Sequence, residues 1–222
     1  EWCDSNIGDI RNLEVVTRVI DAVQPEVVFH LAAQAIVRAS YISPVTTLDT
    51  NVMGTTHVLE AVRKCACVRV VVVVTTDKVY ENREWHWPYR EQDALGGHDP
   101  YSASKAMCEI VVGSYRSSYL DAQNVAVASA RAGNVIGGGD WAQDRLLPDA
   151  IRAWQKGEVL GVRQPNSVRP WQHVLEPLAA YMLLAERLHD QPQLAASYNF
   201  GPALDDALTV RCVIEYARQQ VP

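Results

Sequence analysis

Residues 69–76 read Arg-Val-Val-Val-Val-Val-Thr-Thr, and this stretch limits the fold more than any other. Valine is stiff at χ1 and packs well on a pleated surface, so an unbroken run of it favours a strand over a helix. An apolar run without alternation, closed by polar residues, fits a strand buried on both faces, which in turn needs helices above and below the sheet. It is far too short for the roughly 20 residues that span a bilayer. The same grammar recurs along the chain. Val27 to Ala33 and Val125 to Ile136 read as further strands, while Val45 to Cys65, Pro100 to Tyr119, Leu147 to Lys156, His173 to Leu188 and Val210 to Gln219 have helical spacing. Pro100 suits a first helical turn, and Asp99 before it can cap the helix. Strands alternating with helices make the expected fold α/β with a parallel sheet. The one long connection, Asp77 to Asp99, is expected to be functional.

Composition narrows the function classes. The 222 residues are 48% hydrophobic and 21% charged with a net charge of -6, which excludes a disordered chain and allows one large domain or a domain with a small lobe. Without a dense Lys/Arg stripe, neither duplex nucleic acid nor an anionic membrane is an expected partner. Five cysteines at 3, 65, 67, 108 and 212 form no ligand set at metal spacing, so no metal is expected, and they point to a reducing, cytoplasmic compartment. The chain opens Glu1-Trp2-Cys3 rather than with Met, and it is expected to be preceded by further sequence.

Chemistry-bearing residues gather where strands should end, the usual place for ligands in open α/β sheets. In Tyr101-Ser102-Ala103-Ser104-Lys105 the Tyr and Lys share a helix face. A tyrosine with an ordinary pKa of ~10 becomes a base at neutral pH only if about 4 kcal/mol of differential stabilisation lowers it, and a nearby ammonium has the right sign. The plainer alternative is a surface helix pair. Thr75-Thr76-Asp77-Lys78 brings a hydroxyl, a carboxylate and an ammonium off the valine strand; the Asp can act as a general acid and the Lys as a base where burial lowers its pKa. Here the alternative is a polar strand end with Asp as turn former. Arg131 to Trp141 runs into Gly137-Gly138-Gly139, which suits a loop folded over a phosphate or sugar, or simply a flexible loop. Arg169, in Val168-Arg169-Pro170-Trp171, is a residue type suited to diphosphate.

His30-Leu31-Ala32-Ala33-Gln34, Asn51-Val52-Met53-Gly54-Thr55 and Tyr101-x-x-x-Lys105 together resemble the extended short-chain dehydrogenase/reductases that act on nucleotide sugars. Thr76 to Asn82, Glu84 to Trp87, Arg131 to Trp141 and Arg169 to Val174 are similar to the CDP-glucose 4,6-dehydratase branch, and the resemblance runs from about Gly8 to Pro202. It implies a Rossmann-like sheet, NAD as cofactor, CDP-glucose as substrate and a homo-oligomer for the complete protein. It implies catalytic roles for Thr76, Asp77, Lys78, Tyr101 and Lys105, and cofactor contacts for Asp9, Ile10, Leu31, Ala32 and Ala33 beside Tyr101 and Lys105. Asn134, Arg145 and Arg169 match sugar-diphosphate positions. Residues 1–140 would form a partial NAD-binding domain, and 141–222 part of a small substrate-binding lobe with returning elements. The family's N-terminal Gly-rich βαβ unit is missing from these residues, so strand Val27 to Ala33 is expected to have an open edge and activity of the 222 residues alone is in question. A related nucleotide-sugar epimerase or dehydratase, and a non-catalytic remnant, are the alternatives.

Overall fold

The structure, a computed structural model, describes residues 3–203 and 206–220; Glu1 and Trp2 of the opening tripeptide lie outside the described residues. Its backbone divides into two units, Glu1–Arg131 with Tyr181–Asn199, and Ala132–Ala180 with Phe200–Pro222.

The first unit is built on a sheet ordered β1 (Val27–His30), β2 (Val70–Val74), β3 (Ala126–Ala132), β7 (Ser197–Phe200). β1 pairs in parallel with β2 from Val27 opposite Val70 to His30 opposite Val73, and β2 in parallel with β3. The valine run takes the place its composition demands, with Val70 to Val73 buried. Helix α1 (Leu13–Val23) starts where the Asn12 side chain accepts from the amides of Glu14 and Val15, and it ends at Gln24 in the left-handed region. Two short helices follow β1, α2 (Val37–Ile42) and α3 (Pro44–Leu48). A wider turn, Asp49–Met53, joins α3 to α4 (Gly54–Lys64), and Gly54 there lets Ile10 pack where a Cβ would stand. Helix α5 (Pro100–Tyr115) opens on Asp99, whose carboxylate accepts from the Ser102 amide as expected. Ile20, Leu59, Val62, Val71, Val73, Val112 and Val127 form the main core. Burial of such side chains contributes roughly 1.5–3 kcal/mol each.

The second unit contains β4 (Asn134–Ile136) paired in parallel with β6 (Trp171–His173), and β5 (Val168–Arg169) paired antiparallel with β8 (Leu208–Thr209). Helix α6 (Leu146–Gln155) lies here, as does α8 (Val210–Gln220), whose Arg218 stacks over Trp154 of α6. Helix α7 is Leu175–Asp190.

Several expectations need correction. The strand expected over Val27 to Ala33 stops at His30, because Leu31, Ala32 and Ala33 turn away from the ladder. The strand expected over Val125 to Ile136 is two strands broken at Gly133, the second pairing with a different partner. The helix from Pro100 leaves regular geometry at Tyr115 and finishes through a wider turn, Arg116–Leu120. Cys65 and Cys67 are joined as a disulfide, with Cys3, Cys108 and Cys212 free. Among the described residues no helix is long and apolar enough to cross a membrane, and no His/Cys/Asp/Glu group could hold a metal ion.

Candidate functional site

β2 delivers Thr75-Thr76-Asp77-Lys78 at its carboxyl end. Thr76 is buried, its Oγ1 accepting from the Lys78 amide at 3.4 Å and donating to Asp77 Oδ1 at 3.1 Å. Asp77 and Lys78 form an ion pair at 3.4 Å with side chains 36% and 41% exposed. A hydroxyl therefore stays inside while a carboxylate and an ammonium reach the surface together. The burial that the sequence reading asked of a lysine base is absent at Lys78.

The second cluster comes from α5. Tyr101 and Lys105 are both buried, one turn apart, and the Tyr101 amide donates to Ser40 Oγ of α2 at 3.1 Å. Lys105 Nζ donates to the Val74 carbonyl at 3.1 Å. That bond ties the helix pair to the residue directly before Thr75, so two clusters separated by more than 20 positions meet at one strand end. Burial pushes the Lys105 ammonium below its ordinary pKa, and Cys108 and Glu109 act in the opposite sense. His30, at the end of β1, is pushed down to about 4 by burial, with Lys105 adding to the effect, and shares a 3.0 Å hydrogen bond with Thr55.

Asn51 fixes the chain beyond β1. Its Nδ2 donates to the Gln34 carbonyl at 3.0 Å and to Ser104 Oγ at 2.8 Å, and its Oδ1 accepts from the Gln34 amide at 2.8 Å. Leu31, Ala32 and Ala33 are thus held between the end of β1 and an anchor on α5. The long connection after Lys78 is held by the Tyr80–Leu95 bridge and by Tyr80 stacked on Tyr89 with ring centres 5.0 Å apart.

The remaining predicted residues fall in different places. The Asp9 carboxylate is gripped by the Arg11 guanidinium at 2.6 Å, which holds its pKa down at about 2, and the Ile10 carbonyl is 3.0 Å from His57 Nδ1. In the second unit Asn134 Oδ1 is buried with no hydrogen-bond partner among the described residues. Arg145 lies 3.9 Å from Asp140, and exposed Arg169 donates to the Val168 carbonyl.

The model of the family described as GDP-mannose 4,6 dehydratase matches residues 4–205. The chain belongs to this family. Within the GDP-mannose 4,6-dehydratase family, it is similar to the CDP-glucose 4,6-dehydratase of Salmonella typhimurium, with 48% identity over 218 residues, 96% of this chain and 61% of that protein. Among solved structures it is similar to a double mutant of the dTDP-glucose 4,6-dehydratase DesIV from Streptomyces venezuelae with NAD bound, at a TM-score of 0.81 and 25% identity over 96% of this chain and 62% of that one. MoeE5 in complex with UDP-glucose and NAD is similar at a TM-score of 0.82 and 26% identity, covering 97% and 68%. The chain therefore spans about 61% of the length of the curated relative with 48% identity.

The structure adds residues to the site of this family member that sequence reasoning missed. Glu109, one turn beyond Lys105, is buried and accepts from Arg131 at 2.7 Å, from Ser129 at 2.6 Å, from Ser197 at 3.1 Å and from Thr75. Burial alone would raise its carboxyl pKa, but Arg131 and the hydroxyls outweigh burial and hold it below the ordinary value. Two signals were available. Position 109 continues the Tyr101, Lys105 stripe at helical spacing, and Ser129 and Arg131 interrupt an otherwise apolar strand, where buried polar groups need partners.

Proposed function

We propose that the chain is the catalytic part of a nucleotide-sugar 4,6-dehydratase acting on CDP-glucose with NAD, a lyase that removes water by internal hydride transfer. The observation that carries this reading is the Lys105–Val74 hydrogen bond, which sets the Tyr101/Lys105 pair beside Thr76-Asp77-Lys78. The similarity to the Salmonella enzyme supports the substrate.

The chain's own residues fit the cofactor. Lys105 is a buried ammonium with one acceptor, the Val74 carbonyl, among the described residues, which leaves N–H donors for ribose hydroxyls. Tyr101 and Lys105 would hold the nicotinamide ribose, with Leu31, Ala32 and Ala33 beneath it and Asp9 and Ile10 toward the adenine. Bound NAD would supply reversible acceptance of a hydride, taken from sugar carbon 4 and given back at carbon 6. Tyr101 takes the proton of the carbon 4 hydroxyl, with Thr76 bridging. Once carbon 4 is a ketone the hydrogen on carbon 5 is acidic, and Lys78 acts in its removal. Asp77 protonates the hydroxyl that leaves carbon 6. Asn134, Arg145 and Arg169 bind the sugar diphosphate.

Epimerases of the same fold do not expel water, and the Asp77–Lys78 pair beside Thr76 favours the dehydratase over them. Exposed Tyr41, Ile42, Val45, Met107 and Ile110 on α2, α3 and α5 support a homo-oligomer, and we place the protein in the cytoplasm, without nucleic-acid or membrane partners. The test is incubation of the purified protein with NAD and CDP-glucose, followed by mass spectrometry of the sugar nucleotide. Loss of one water with no net consumption of NAD is expected. Inversion of the sugar without water loss would make it an epimerase, and binding without turnover would make it a non-catalytic remnant.

A further inference from the structure

Glu109 touches none of the groups given roles above, yet it is among the most heavily bonded side chains in the first unit. It lies on the same face of α5 as Tyr101 and Lys105 and is 5% exposed. Its carboxylate gathers three strands: Thr75 follows β2, Ser129 and Arg131 belong to β3, and Ser197 belongs to β7. Arg131, itself buried, passes the restraint on to the Tyr80 hydroxyl at 2.8 Å and the Glu91 carbonyl at 3.0 Å, on the long connection after Lys78. The Tyr80 hydroxyl in turn donates to Asn199 Oδ1 at 2.6 Å. Meanwhile Lys105 grips the carbonyl of Val74, the residue before Thr75. Helix α5 thus holds the end of β2 at two consecutive residues, through Lys105 and through Glu109, immediately before Thr76 and Asp77.

We infer that Glu109 is a positioning residue: by holding Thr75 against α5 it fixes Thr76 and Asp77 relative to Tyr101 and Lys105. A buried carboxylate suits this role better than a neutral side chain. Hydrogen bonds to a charged acceptor are shorter and stronger, and one carboxylate can accept from several donors at once. Its charge also bears on Lys105. Cys108 and Glu109 act on that ammonium from α5 itself, the ammonium in turn acts on His30 at the end of β1, and Arg131 from β3 is engaged by Glu109. Cys108 and Glu109 favour the charged lysine, and burial opposes it.

The inference rests on the proposed roles of Tyr101, Lys105, Thr76 and Asp77, so its test needs one arm that does not depend on turnover. In the NAD-loaded protein, Thr75→Val removes one hydrogen bond to Glu109 and leaves its ion pair, and Thr75→Ser restores the hydroxyl. Thr75→Val is expected to lower kcat at least about tenfold with KM changed less than about twofold, because a small displacement of reacting groups costs rate rather than affinity. Thr75→Ser should recover most of that loss. Glu109→Gln leaves Arg131 buried without its partner, so it is paired with a Glu109→Gln/Arg131→Met double variant of neutral charge. The chain has only four lysines, Lys64, Lys78, Lys105 and Lys156, so Lys105 can be titrated directly by NMR of side-chain-labelled protein. Its midpoint should fall in Glu109→Gln and stay near the wild-type value in Thr75→Val. A loss confined to melting temperature or KM, a serine that fails to rescue, or a Lys105 midpoint unmoved by Glu109→Gln would overturn the inference. If the wild-type protein turns over no CDP-glucose, the proposed activity fails, while the Lys105 titration still decides whether Glu109 acts on that site.

Discussion

Gly97 sits so close to Ala103 that a Cβ on the glycine would collide with the Ala103 amide nitrogen and with the carbonyl carbon of Ser102. The end of the long connection therefore lies directly on the first turn of α5, the turn that carries Tyr101. Backbone cannot swing aside as a flexible side chain would. Gly97→Ala is expected to destabilise the first unit by about 3 kcal/mol, the upper end of ordinary overpacking. Urea unfolding checks this, and a midpoint equal to wild type would show that the turn yields without cost.

The cap of the same helix is separable from that packing. Asp99 Oδ1 accepts from the Ser102 amide at 3.0 Å and Oδ2 from the Ser102 hydroxyl at 2.6 Å. Asp99→Ala should cost about 1 kcal/mol and Asp99→Asn less, since asparagine also caps. Denaturation curves of the two variants would rank them, and equal losses would contradict a capping role.

Tyr101 and Asp77 act on different bonds in the proposed reaction, so their variants should fail differently. Tyr101→Phe removes the group that accepts the carbon 4 proton and should abolish both solvent-deuterium uptake at carbon 5 and water loss. Asp77→Asn should slow water loss by about 100-fold or more, the usual scale of a general acid, while carbon 5 still exchanges. NMR of the sugar in deuterated buffer follows both events. Equal loss of exchange and elimination in Asp77→Asn would remove the distinction.

His30 supplies a pH signature of stability. Its pKa is about 4 in the folded protein against an ordinary 6.5, so between these values the unfolded chain binds a proton that the folded one does not. Its contribution is intact above pH 6.5 and is lost as pH falls toward 4, by about 3 kcal/mol over the window. Urea unfolding at steps from pH 7 to pH 4.5 should show the decline, and His30→Gln should flatten it. An unchanged slope in that variant would place the proton uptake elsewhere.

The edge of β1 predicts behaviour of the 222-residue polypeptide. Among the described residues β1 pairs with β2 alone, Phe29 is 41% exposed, and Val27 and Phe29 line an open groove with Met182, Ala185 and Glu186. Unpaired edges beside apolar side chains recruit other chains. Sedimentation should show concentration-dependent association that Phe29→Lys reduces. A monodisperse monomer at all concentrations would show that the edge is protected.

Much of the architecture was legible because burial leaves a local mark. The valine run declared β2, Asp99-Pro100 declared the start of α5, and Tyr101 and Lys105 fell on one face by spacing alone. Helix α1 carries a local mark of the same kind, with Asn12 as its cap and an apolar stripe behind it. β7 was harder to see. Ser197-Tyr198-Asn199-Phe200 is polar and short, and it is a strand because β3 offers it a ladder. Gly133 split a stretch that reads as one strand, since pairing partners on its two sides differ and local pattern carries no information about partners.

Local pattern suffices for the residue types of the site and their order: a hydroxyl, a carboxylate and an ammonium after a buried strand, and a tyrosine with a lysine one helical turn on. These follow from short-range periodicity, which a chain carries wherever it lies. It takes the packed fold to bring Lys105 to Val74, to gather Thr75, Ser129, Arg131 and Ser197 around Glu109 at once, and to leave Lys78 exposed beside Asp77. Thr75 and Glu109 are 34 positions apart and Ser197 is 88 beyond Glu109. Such bonds form because a buried carboxylate must find donors wherever the packed core brings them, and the core is fixed by the sheet order rather than by any neighbour in the chain.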